Sequence, residues 1–437
     1  MLTPADMALC GLDPETLFAP LAGRKTIGLA VSGGADSLAL MLLYAAWSGT
    51  KPRAIVYTVD HRLRPEAQAE AAMVAREAGK LGLSCRALAW TGDKPSTGRQ
   101  SAARKARYGL IAQAMDADGA EILLTAHHLR DQAETVLMRL AHGSGVSGLG
   151  GIRTFSSVEG ICVFRPLLGV SPETLATLVA QAGLSPAFDP SNADRTYERT
   201  RWRDALPGLA DLGLAPDRLG KAAERLQRID ALAIRATDGF IAGHAARDPL
   251  GIVRIEREAF GTADPEIRVR VIERALAGVS GVQSFFLSRI EALAERIAAG
   301  ARFTATLAGT RILAEANTIV IHREAGRRGL PTASLAPGQS LVWDGRFVVT
   351  AAIAGTIGPA TGLGREAFGA LTGRALAGPV AGLRAAPLVR DAHGEIAAIG
   401  GIEVGEGFSV EQIPLTSWAG NCGNRPPDGA VALVSPE

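Results

Sequence analysis

In the first half of the chain, short apolar runs alternate with longer stretches in which hydrophobic residues recur at helical spacing. This alternation predicts right-handed β–α–β units around a parallel sheet, so the expected fold class is α/β. Ligands of such sheets bind at the carboxyl ends of the strands, which makes the polar residues after each run candidates for a site. The four runs that read as buried strands are "KTIGLAVS" (25–32), "RAIVYTVD" (53–60), "LSCRALAW" (83–90) and "AEILLTAH" (120–127).

From about residue 207 the pattern changes to long amphipathic helices, which are predicted at 217–243, 266–278 and 285–300. The segment "RFTATLAGTRILAEANTIVIHRE" (302–324) then alternates as a β-hairpin does. A turn-rich linker follows, and the last hundred residues are rich in Gly and Ala with short strand signals. We therefore expect three domains: an α/β domain over 1–208, a helical middle domain with a terminal hairpin over 209–325, and a small β-rich domain over 326–437.

Composition fits a soluble globular protein, with 437 residues, 47% hydrophobic and 21% charged. No apolar run is long enough to span a membrane, and the N-terminus lacks the pattern of a signal peptide, so a cytoplasmic location is expected. The net charge of +2 does not by itself indicate nucleic-acid binding. Scattered spacing of the four cysteines argues against a disulfide framework, a zinc site and a cysteine-ligated iron–sulfur cluster. They are Cys10, Cys85, Cys162 and Cys422.

The first predicted strand ends in "SGGADS" (32–37), after which the chain becomes helical. Gly33 and Gly34 would let the backbone approach an anion, and the first amides of the helix would point at it. Ser32 and Ser37 add hydroxyl donors. Asp36 beside a polyanion suggests a divalent cation between the two, so Asp36 is the candidate ligand of Mg²⁺. The alternative is a strand-to-helix turn whose glycines serve only steric needs.

Two other phosphate-binding patterns do not fit. The P-loop requires a Lys-Ser/Thr pair after its last glycine, and none is present. A literal Gly-x-Gly-x-x-Gly occurs as "GSGVSG" (143–148), but it follows a predicted helix rather than a strand, which argues against dinucleotide binding.

The Ser-Gly-Gly-x-Asp-Ser loop in its strand–turn–helix setting resembles the PP-loop family of N-type ATP pyrophosphatases. The resemblance narrows to the bacterial tRNA(Ile)-lysidine synthases and runs continuously from about residue 25 to 205. It implies that Ser32, Gly33, Gly34, Ala35, Asp36 and Ser37 wrap the β,γ-pyrophosphate of ATP, which is cleaved to AMP and pyrophosphate. The other motifs that carry the resemblance are "VDHRLRPEA" (59–67), "TAHHLRDQAETVLMRLAHGSGVSGLGG" (125–151) and "DPSNADRTYERTRWR" (189–203).

The resemblance also implies the reaction and its partners. In this family ATP adenylates the C2 carbonyl of the wobble cytidine (position 34) of an isoleucine tRNA with a CAU anticodon. The ε-amino group of L-lysine then displaces AMP to give lysidine. The expected substrates are thus ATP, L-lysine and that tRNA, with Mg²⁺ as cofactor and with neither a membrane nor a protein partner.

The lysine amine must be held and must lose a proton before it attacks. Asp131 and Glu134 are three residues apart on a predicted helix, so they share one face and could hold an ammonium group. The alternative is an acidic first turn that complements the helix dipole. His127, at the end of the fourth strand, is a candidate contact to phosphate or adenylate, whereas His128 has an expected structural role. The predicted catalytic set is Asp36, His127, Asp131 and Glu134, and His61 joins the loop as an ATP-binding candidate.

Two basic segments are candidates for RNA binding. Arginines that alternate around an aromatic ring suit single-stranded RNA, whose unstacked bases can stack on side chains. Because C2 of a paired base is hard to reach, the substrate should be an anticodon loop with its base splayed out. The alternative for the first segment is a solvated basic face. The candidates are Arg104 and Arg107 in one segment, and Arg199, Arg201, Trp202 and Arg203 in the other.

Two rival functions remain. One is a PP-loop tRNA thiolase that acts through the same adenylate, although many such enzymes need paired cysteines. The other is an RNA-binding module without activity, which would be expected to have lost Asp36 or the Asp131/Glu134 pair.

Overall fold

The structure is a computed structural model that describes residues 10–62, 66–92, 94, 99–187, 194–282, 285–326, 329–414 and 431–433. These residues fall into two compact units that divide between Asp230 and Ala231. The predicted boundary at residue 208 lies before this division, and the boundary predicted at 325 lies inside the second unit.

The first unit contains a six-stranded sheet with the order β3-β2-β1-β4-β6-β5, in which only β5 is antiparallel to its neighbour. The predicted parallel α/β fold is confirmed. The strands are β1 (Thr26–Ala30), β2 (Arg53–Asp60), β3 (Ser84–Ala89), β4 (Leu123–Leu124), β5 (Phe155–Val158) and β6 (Ile161–Phe164). The helices are α1 (Pro14–Phe18), α2 (Ala35–Ala46), α3 (Glu66–Lys80), α4 (Arg99–Asp118), α5 (Leu129–Ala141), α6 (Val146–Leu149), α7 (Pro172–Gln181), α8 (Glu198–Asp211) and α9 (Pro216–His244), within which the division falls.

Successive side chains of each strand point to opposite faces of this sheet, and an apolar core covers each face. Ile27 and Leu29 of β1 pack with α2 and α7 on one face. Tyr57 of β2 and Leu123 of β4 pack with α4 on the other. Gly28 lies beneath the Tyr57 ring, where a Cβ would come within 2.8 Å of a ring carbon, so a glycine is required there. Helices therefore cover both faces, as a buried parallel sheet requires.

Two features of the sheet differ from the sequence prediction. The fourth strand covers only Leu123–Leu124 rather than 120–127; the Thr125 amide still donates to the Phe164 carbonyl at 3.0 Å, and α5 begins at Leu129. The β5–β6 hairpin was not predicted at all. Its strands are four residues each, and Phe155 of β5 is exposed, so β5 lacks the apolar run that marked the others.

The second unit has a five-stranded antiparallel sheet of order β7-β8-β11-β10-β9 and two further sheets, β12-β15-β16-β17-β18 and β19-β14-β13-β20. The first sheet comprises β7 (Ala245–Arg247), β8 (Val253–Glu256), β9 (Phe303–Leu307), β10 (Thr310–Ala314) and β11 (Thr318–Arg323). The second comprises β12 (Ala333–Leu335), β15 (Gly355–Pro359), β16 (Pro387–Asp391), β17 (Ile396–Ile399) and β18 (Ile402–Glu403). The third comprises β13 (Ser340–Trp343), β14 (Phe347–Ala351), β19 (Phe408–Gln412) and β20 (Val431–Leu433). The helices are α10 (Arg257–Thr262), α11 (Pro265–Ser280), α12 (Leu287–Ala298), α13 (Arg365–Thr372) and α14 (Val380–Arg384).

The predicted helices of the middle region and the β-rich C-terminal region are both confirmed. The hairpin predicted over 302–324 is instead a three-stranded meander, β9–β10–β11, and β11 continues the sheet by pairing with β8. Asn317 and its neighbours form a second turn that the alternating pattern did not reveal. Helices α11 and α12 pack on this sheet through a buried apolar cluster that includes Ile272, Ile290 and Ile321.

No helix in the described ranges combines the length and apolar character needed to cross a membrane. Cys10 and Cys85 are free thiols, whereas Cys162 of β6 is disulfide-bonded.

Candidate active site

The strand order reverses between β1 and β4, so the segments that follow these two strands meet at one edge of the sheet. The first segment is the 32–37 loop and the second carries His127 and His128 into α5. This topology brings three of the four predicted catalytic residues, Asp36, His127 and Asp131, to the carboxyl edge.

The 32–37 loop has the backbone of an anion-binding turn. Gly33 has a φ of +91°, a left-handed conformation that favours glycine. The Ser37 hydroxyl donates to the Gly34 carbonyl at 2.9 Å and accepts from the Ser32 amide at 3.2 Å. The first intrahelical bond of α2 is donated by Leu38 to Gly34, so the amides of Ala35 to Ser37 come before the helical ladder. The loop thus presents amides and the Ser32 hydroxyl where a phosphate would lie.

The side chains of Asp36, His128 and Asp131 lie in a row beside this loop. His128 Nε2 lies 3.6 Å from Asp36 Oδ2, and His128 Nδ1 lies 3.5 Å from Asp131 Oδ2. His128 is also the N-cap of α5, since its ring accepts from the Asp131 amide and Asp131 Oδ2 accepts from the His128 amide. The predicted structural role of His128 is therefore accompanied by a direct link to Asp36.

The pKa shifts of this row follow from its contacts. Burial by itself would lower the pKa of His128, but the neighbouring carboxylates of Asp36, Asp131 and Glu134 outweigh it and raise the pKa. Burial would raise the pKa of Asp131, but His128 and Arg199 outweigh it and hold the pKa below its ordinary value. Asp131 is thus held as a carboxylate.

His127 lies near this row and stays neutral. Its Nδ1 lies 2.9 Å from the Thr125 hydroxyl. Burial lowers the pKa of His127 to about 3, and the nearby Arg165 and Arg199 also oppose protonation. At neutral pH the ring can exchange hydrogen bonds with a substrate without adding charge.

Glu134 is fully buried, and each of its carboxylate oxygens faces an arginine of α8. Arg199 Nε lies 2.8 Å from Oε2, and Arg203 Nε donates to Oε1 at 2.8 Å. The hydrogen bond to Glu134 raises the pKa of Arg203. The sequence predicted Glu134 as a holder of an ammonium group and the two arginines as RNA contacts. In the structure Glu134 is instead paired with Arg199 and Arg203. It could hold an ammonium group only if one of these two arginines moved away.

Trp202 is half-buried against Leu137 and Leu206 rather than presented as an open stacking surface. Its indole N–H donates to Glu198 at 3.3 Å. Arg201 is exposed, and its guanidinium donates to backbone carbonyls of its own segment. The aromatic and arginine pattern of "ERTRWR" thus serves packing and ion pairing as well as any RNA contact. The "DPSN" turn ahead of it lies outside the described residues.

Arg104 and Arg107 both lie over the ring of Tyr108, with guanidinium-to-centroid distances of 5.1 and 5.4 Å. His61 follows β2 and makes an edge-to-face contact with Trp90, at 6.3 Å between ring centroids. Trp90 was not singled out from the sequence, although its place at the end of β3 marks it as a candidate.

A cavity of about 540 Å³ opens beside His127, and five arginines contribute to its wall. Two of them, Arg104 and Arg199, were candidates from the sequence. The other three, Arg139, Arg153 and Arg165, come from α5 and the ends of the unpredicted β5–β6 hairpin, so sequence reasoning missed them.

The donor set fits a magnesium ion that arrives with the nucleotide. The Asp36 carboxylate is about 41% exposed at the start of α2, beside the loop that would hold the phosphates. No group of three or more His, Cys, Asp or Glu within the described chain could cage a metal ion. Mg²⁺ is commonly held by one or two carboxylates together with substrate phosphates and water, which matches a single exposed aspartate.

Comparison with known proteins is consistent with this geometry. A family model described as the PP-loop domain matches residues 13–209. A tRNA(Ile)-lysidine synthase of Bradyrhizobium sp. (strain BTAi1) is 41% identical over 302 residues, 67% of this chain and 84% of that protein. One from Rhodopseudomonas palustris is 42% identical, covering 74% of this chain and 97% of that protein. One from Methylobacterium nodulans is 43% identical, covering 69% of this chain and 91% of that protein.

Proposed function

The chain belongs to the tRNA(Ile)-lysidine synthase family, and we propose that it joins L-lysine to C2 of the wobble cytidine (position 34) of an isoleucine tRNA with a CAU anticodon. As a member of this family it is an ATP-using ligase that modifies tRNA. The observation that carries the finer proposal is the meeting of the 32–37 loop with the Asp36–His128–Asp131 row at one edge of the sheet.

The first step forms a bond between the C2 oxygen of cytidine and the α-phosphorus of ATP, and pyrophosphate leaves. The chain contributes positioning and charge compensation: the amides and hydroxyls of residues 32–37 hold the phosphates. His128, whose Nε2 lies 3.6 Å from Asp36 Oδ2, positions that carboxylate. Bound Mg²⁺ would be held by Asp36 and the phosphates, and it would neutralise charge on the departing pyrophosphate.

The second step forms the C2–N bond with the ε-amino group of lysine and breaks the bond between C2 and the AMP oxygen. The lysine arrives as an ammonium and has to lose protons. Asp131 is a carboxylate at the edge of the site with its side chain about 15% exposed, so it is the better placed of the two predicted acids to hold that ammonium. Neutral His127, adjacent to His128 in the chain, can accept or donate a hydrogen bond at the adenylate.

Glu134 takes a positioning role in this proposal. By holding Arg199 and Arg203 it fixes two guanidinium groups at the side of the site where Asp131 lies, and Arg199 itself comes within 3.7 Å of Asp131 Oδ1. If Arg199 neutralised the Asp131 carboxylate, Asp131 would bind an ammonium group less strongly. The arginine pair on Glu134 therefore sets the electrostatic balance at the lysine position.

The proposal is tested by pyrophosphate release with the substrates varied one at a time. We expect release to require ATP, Mg²⁺ and the CAU-anticodon isoleucine tRNA, and to proceed to free AMP only when lysine is added. Release of AMP that depends on a sulfur donor instead of lysine would favour the thiolase alternative. That alternative is less supported, since the curated relatives that match over most of this chain are lysidine synthases.

A further inference from the structure

The cavity beside His127 carries more positive charge than its protein surroundings balance. We call it the arginine cavity and define it by Arg104, Arg139, Arg153, Arg165, Arg199 and His127. Among the described residues that line it there is no aspartate or glutamate. Two of its arginines have carboxylate partners just outside the lining: Arg153 pairs with Asp230, and Arg199 pairs with Glu134.

The other three arginines have no carboxylate partner within the described part of the chain. Arg139 donates to the carbonyls of Gly148 and Gly151, both at 2.7 Å. Arg104 lies on the Tyr108 ring with its side chain exposed. Arg165 is about 5% exposed, and its Nη1 donates to the Arg153 carbonyl and to the Ser156 hydroxyl, both at 2.8 Å.

Of the three arginines, Arg165 gives the strongest indication that the cavity binds an anion. Its Nε is buried and has no hydrogen-bond partner. Burial lowers its pKa, and the neighbouring Arg104 lowers it further. A buried guanidinium without a counter-charge is costly, and such groups are usually paired. The cost is removed when an anion occupies the cavity.

The amount of unbalanced charge indicates which anion. Three guanidinium groups exceed the single negative charge of an amino-acid carboxylate. The proposed function already assigns the triphosphate to the 32–37 loop, and no residue of that loop lines the cavity. A strand of RNA brings a phosphate with every nucleotide, and about 540 Å³ is within the range of pockets that enclose a nucleotide-sized group.

We infer that the arginine cavity binds the phosphodiester backbone next to the base that reacts, with Arg165 as a buried phosphate ligand and Arg104 as its partner at the rim. The inference rests on the proposed function and deepens it, because it assigns residues of the β5–β6 hairpin to substrate binding. Arg165 and Arg104 would act as positioning residues, since they fix the strand and do not touch C2.

The test compares Arg165→Gln and Arg104→Gln with the unaltered full-length protein. Binding of an anticodon stem-loop RNA is measured across a salt series, and KM values are measured for tRNA, ATP and lysine. We expect each change to weaken RNA binding about tenfold or more. Loss of one phosphate contact should reduce the slope of log affinity against log salt by about one. The KM values for ATP and lysine should stay within about twofold, and Arg165→Lys, which keeps the charge, should recover part of the affinity.

Arg24→Gln is the matched control, because Arg24 is a partly exposed arginine directly before β1, at the opposite edge of the sheet. It should leave every constant unchanged. If Arg165→Gln fails to fold, the exposed Arg104 carries the test. A raised KM for lysine with unchanged RNA binding would overturn the inference in favour of a carboxylate, and a raised KM for ATP in favour of a nucleotide phosphate. Unchanged constants in both variants would overturn it outright.

The RNA-binding measurement does not depend on catalysis, so it separates this inference from the proposed function. Protein that binds the stem-loop through Arg165 but never forms lysidine would contradict the function alone. Protein that forms lysidine with both arginines replaced and RNA affinity intact would contradict this inference alone.

Discussion

We propose that Asp36 is the residue through which the loop acts on ATP. Its carboxylate faces both the phosphate position and His128, 3.6 Å away. Asp36→Asn keeps the size and the helix position of the side chain but removes the charge. We expect ATP cleavage to fall by at least a hundredfold, since removal of one preorganised charge-stabilising group costs about that much. The measurement is tRNA-dependent pyrophosphate release. A melting temperature close to that of the unaltered protein shows that the fold is intact, and near-normal turnover would remove Asp36 from the mechanism.

Asp131 is predicted to hold the lysine ammonium. Asp131→Asn keeps an oxygen that can accept from the His128 amide, so the cap of α5 should survive. A hydrogen bond to a charged group contributes about 1.5–3 kcal/mol, which corresponds to a rise of about tenfold or more in KM for lysine. The KM for ATP should change little. Glu173→Gln, which removes an exposed acid paired with Arg130, serves as the control. An equal rise in both KM values for Asp131→Asn would contradict the assignment.

His127 should make stability depend on pH. Its pKa of about 3 in the folded protein lies below the ordinary value of 6.5, so between these values the unfolded chain binds more protons. The contribution of neutral His127 to the free energy of unfolding is therefore complete above about pH 6.5 and decreases as the pH falls. The slope is at most about 1.4 kcal/mol per pH unit. Urea unfolding of the unaltered protein and of His127→Gln between pH 4.5 and 7.5 checks this, and the variant should lose less stability over that range. Parallel pH curves would show that His127 titrates normally.

The 32–37 loop could be predicted from the sequence because a strand, two glycines and the start of a helix are local features. The ion pairs of Glu134 could not be predicted in this way. The i,i+3 spacing placed Glu134 beside Asp131 on α5, which is correct, but Arg199 and Arg203 lie on α8, more than sixty residues later. Only tertiary packing determines that these arginines reach the carboxylate before any substrate does.

At the scale of elements, α9 combines two faces. Leu219 and Ala223 are buried in the apolar cluster shared with α5 and α8. Arg218, Lys221, Arg225 and Arg228 are exposed. Their 3-4-3 spacing places them on one face as a row of positive charge. The sequence alone could indicate this amphipathic pattern, whereas the short β5–β6 hairpin escaped because four-residue strands carry too little periodicity.

We expect this basic row of α9 to contact RNA phosphates. The double change Arg225→Gln with Arg228→Gln should weaken tRNA binding and reduce the salt slope by about two, one for each phosphate contact. The loss should be similar for different tRNAs, because phosphate contacts position the RNA and do not read its sequence. Binding titrations across salt concentrations measure it. Glu224→Gln on the same helix removes an exposed negative charge and should not weaken binding. Loss of binding to one tRNA alone would argue for a base contact instead.

At the scale of the whole molecule, one anticodon base cannot identify a tRNA, since elongator methionine tRNA also carries CAU. We therefore expect the second unit to contribute to discrimination. A protein that ends at residue 244 keeps all of α9, including Leu219 and Asp230, which are buried in the first unit. It should keep ATP binding and lose efficient modification of the isoleucine tRNA. Full-length and shortened proteins are compared on both tRNAs, and equal rate and selectivity would show that the second unit does not read tRNA.

Sequence patterns identified the α/β class, the middle helices and the β-rich C-terminal region. They misjudged how the second unit is built, because β7 and β8 are short and β11 pairs with β8 across more than sixty residues. Non-local pairing of this kind leaves no local signal. The arginine cavity was not predicted for the same reason, because its arginines come from α4, α5, α8 and the ends of the β5–β6 hairpin.

The central claim is that the loop and the Asp36–His128–Asp131 row serve the ligation of lysine to a wobble cytidine. The most direct measurement is mass spectrometry of the anticodon fragment from a CAU-anticodon isoleucine tRNA after incubation with the protein, ATP, Mg²⁺ and isotopically labelled lysine. We predict that position 34 gains one lysine with loss of one water, only when ATP is present, and that Asp36→Asn protein produces no gain. An unmodified cytidine at position 34, or a gain of sulfur in place of lysine, would contradict the account.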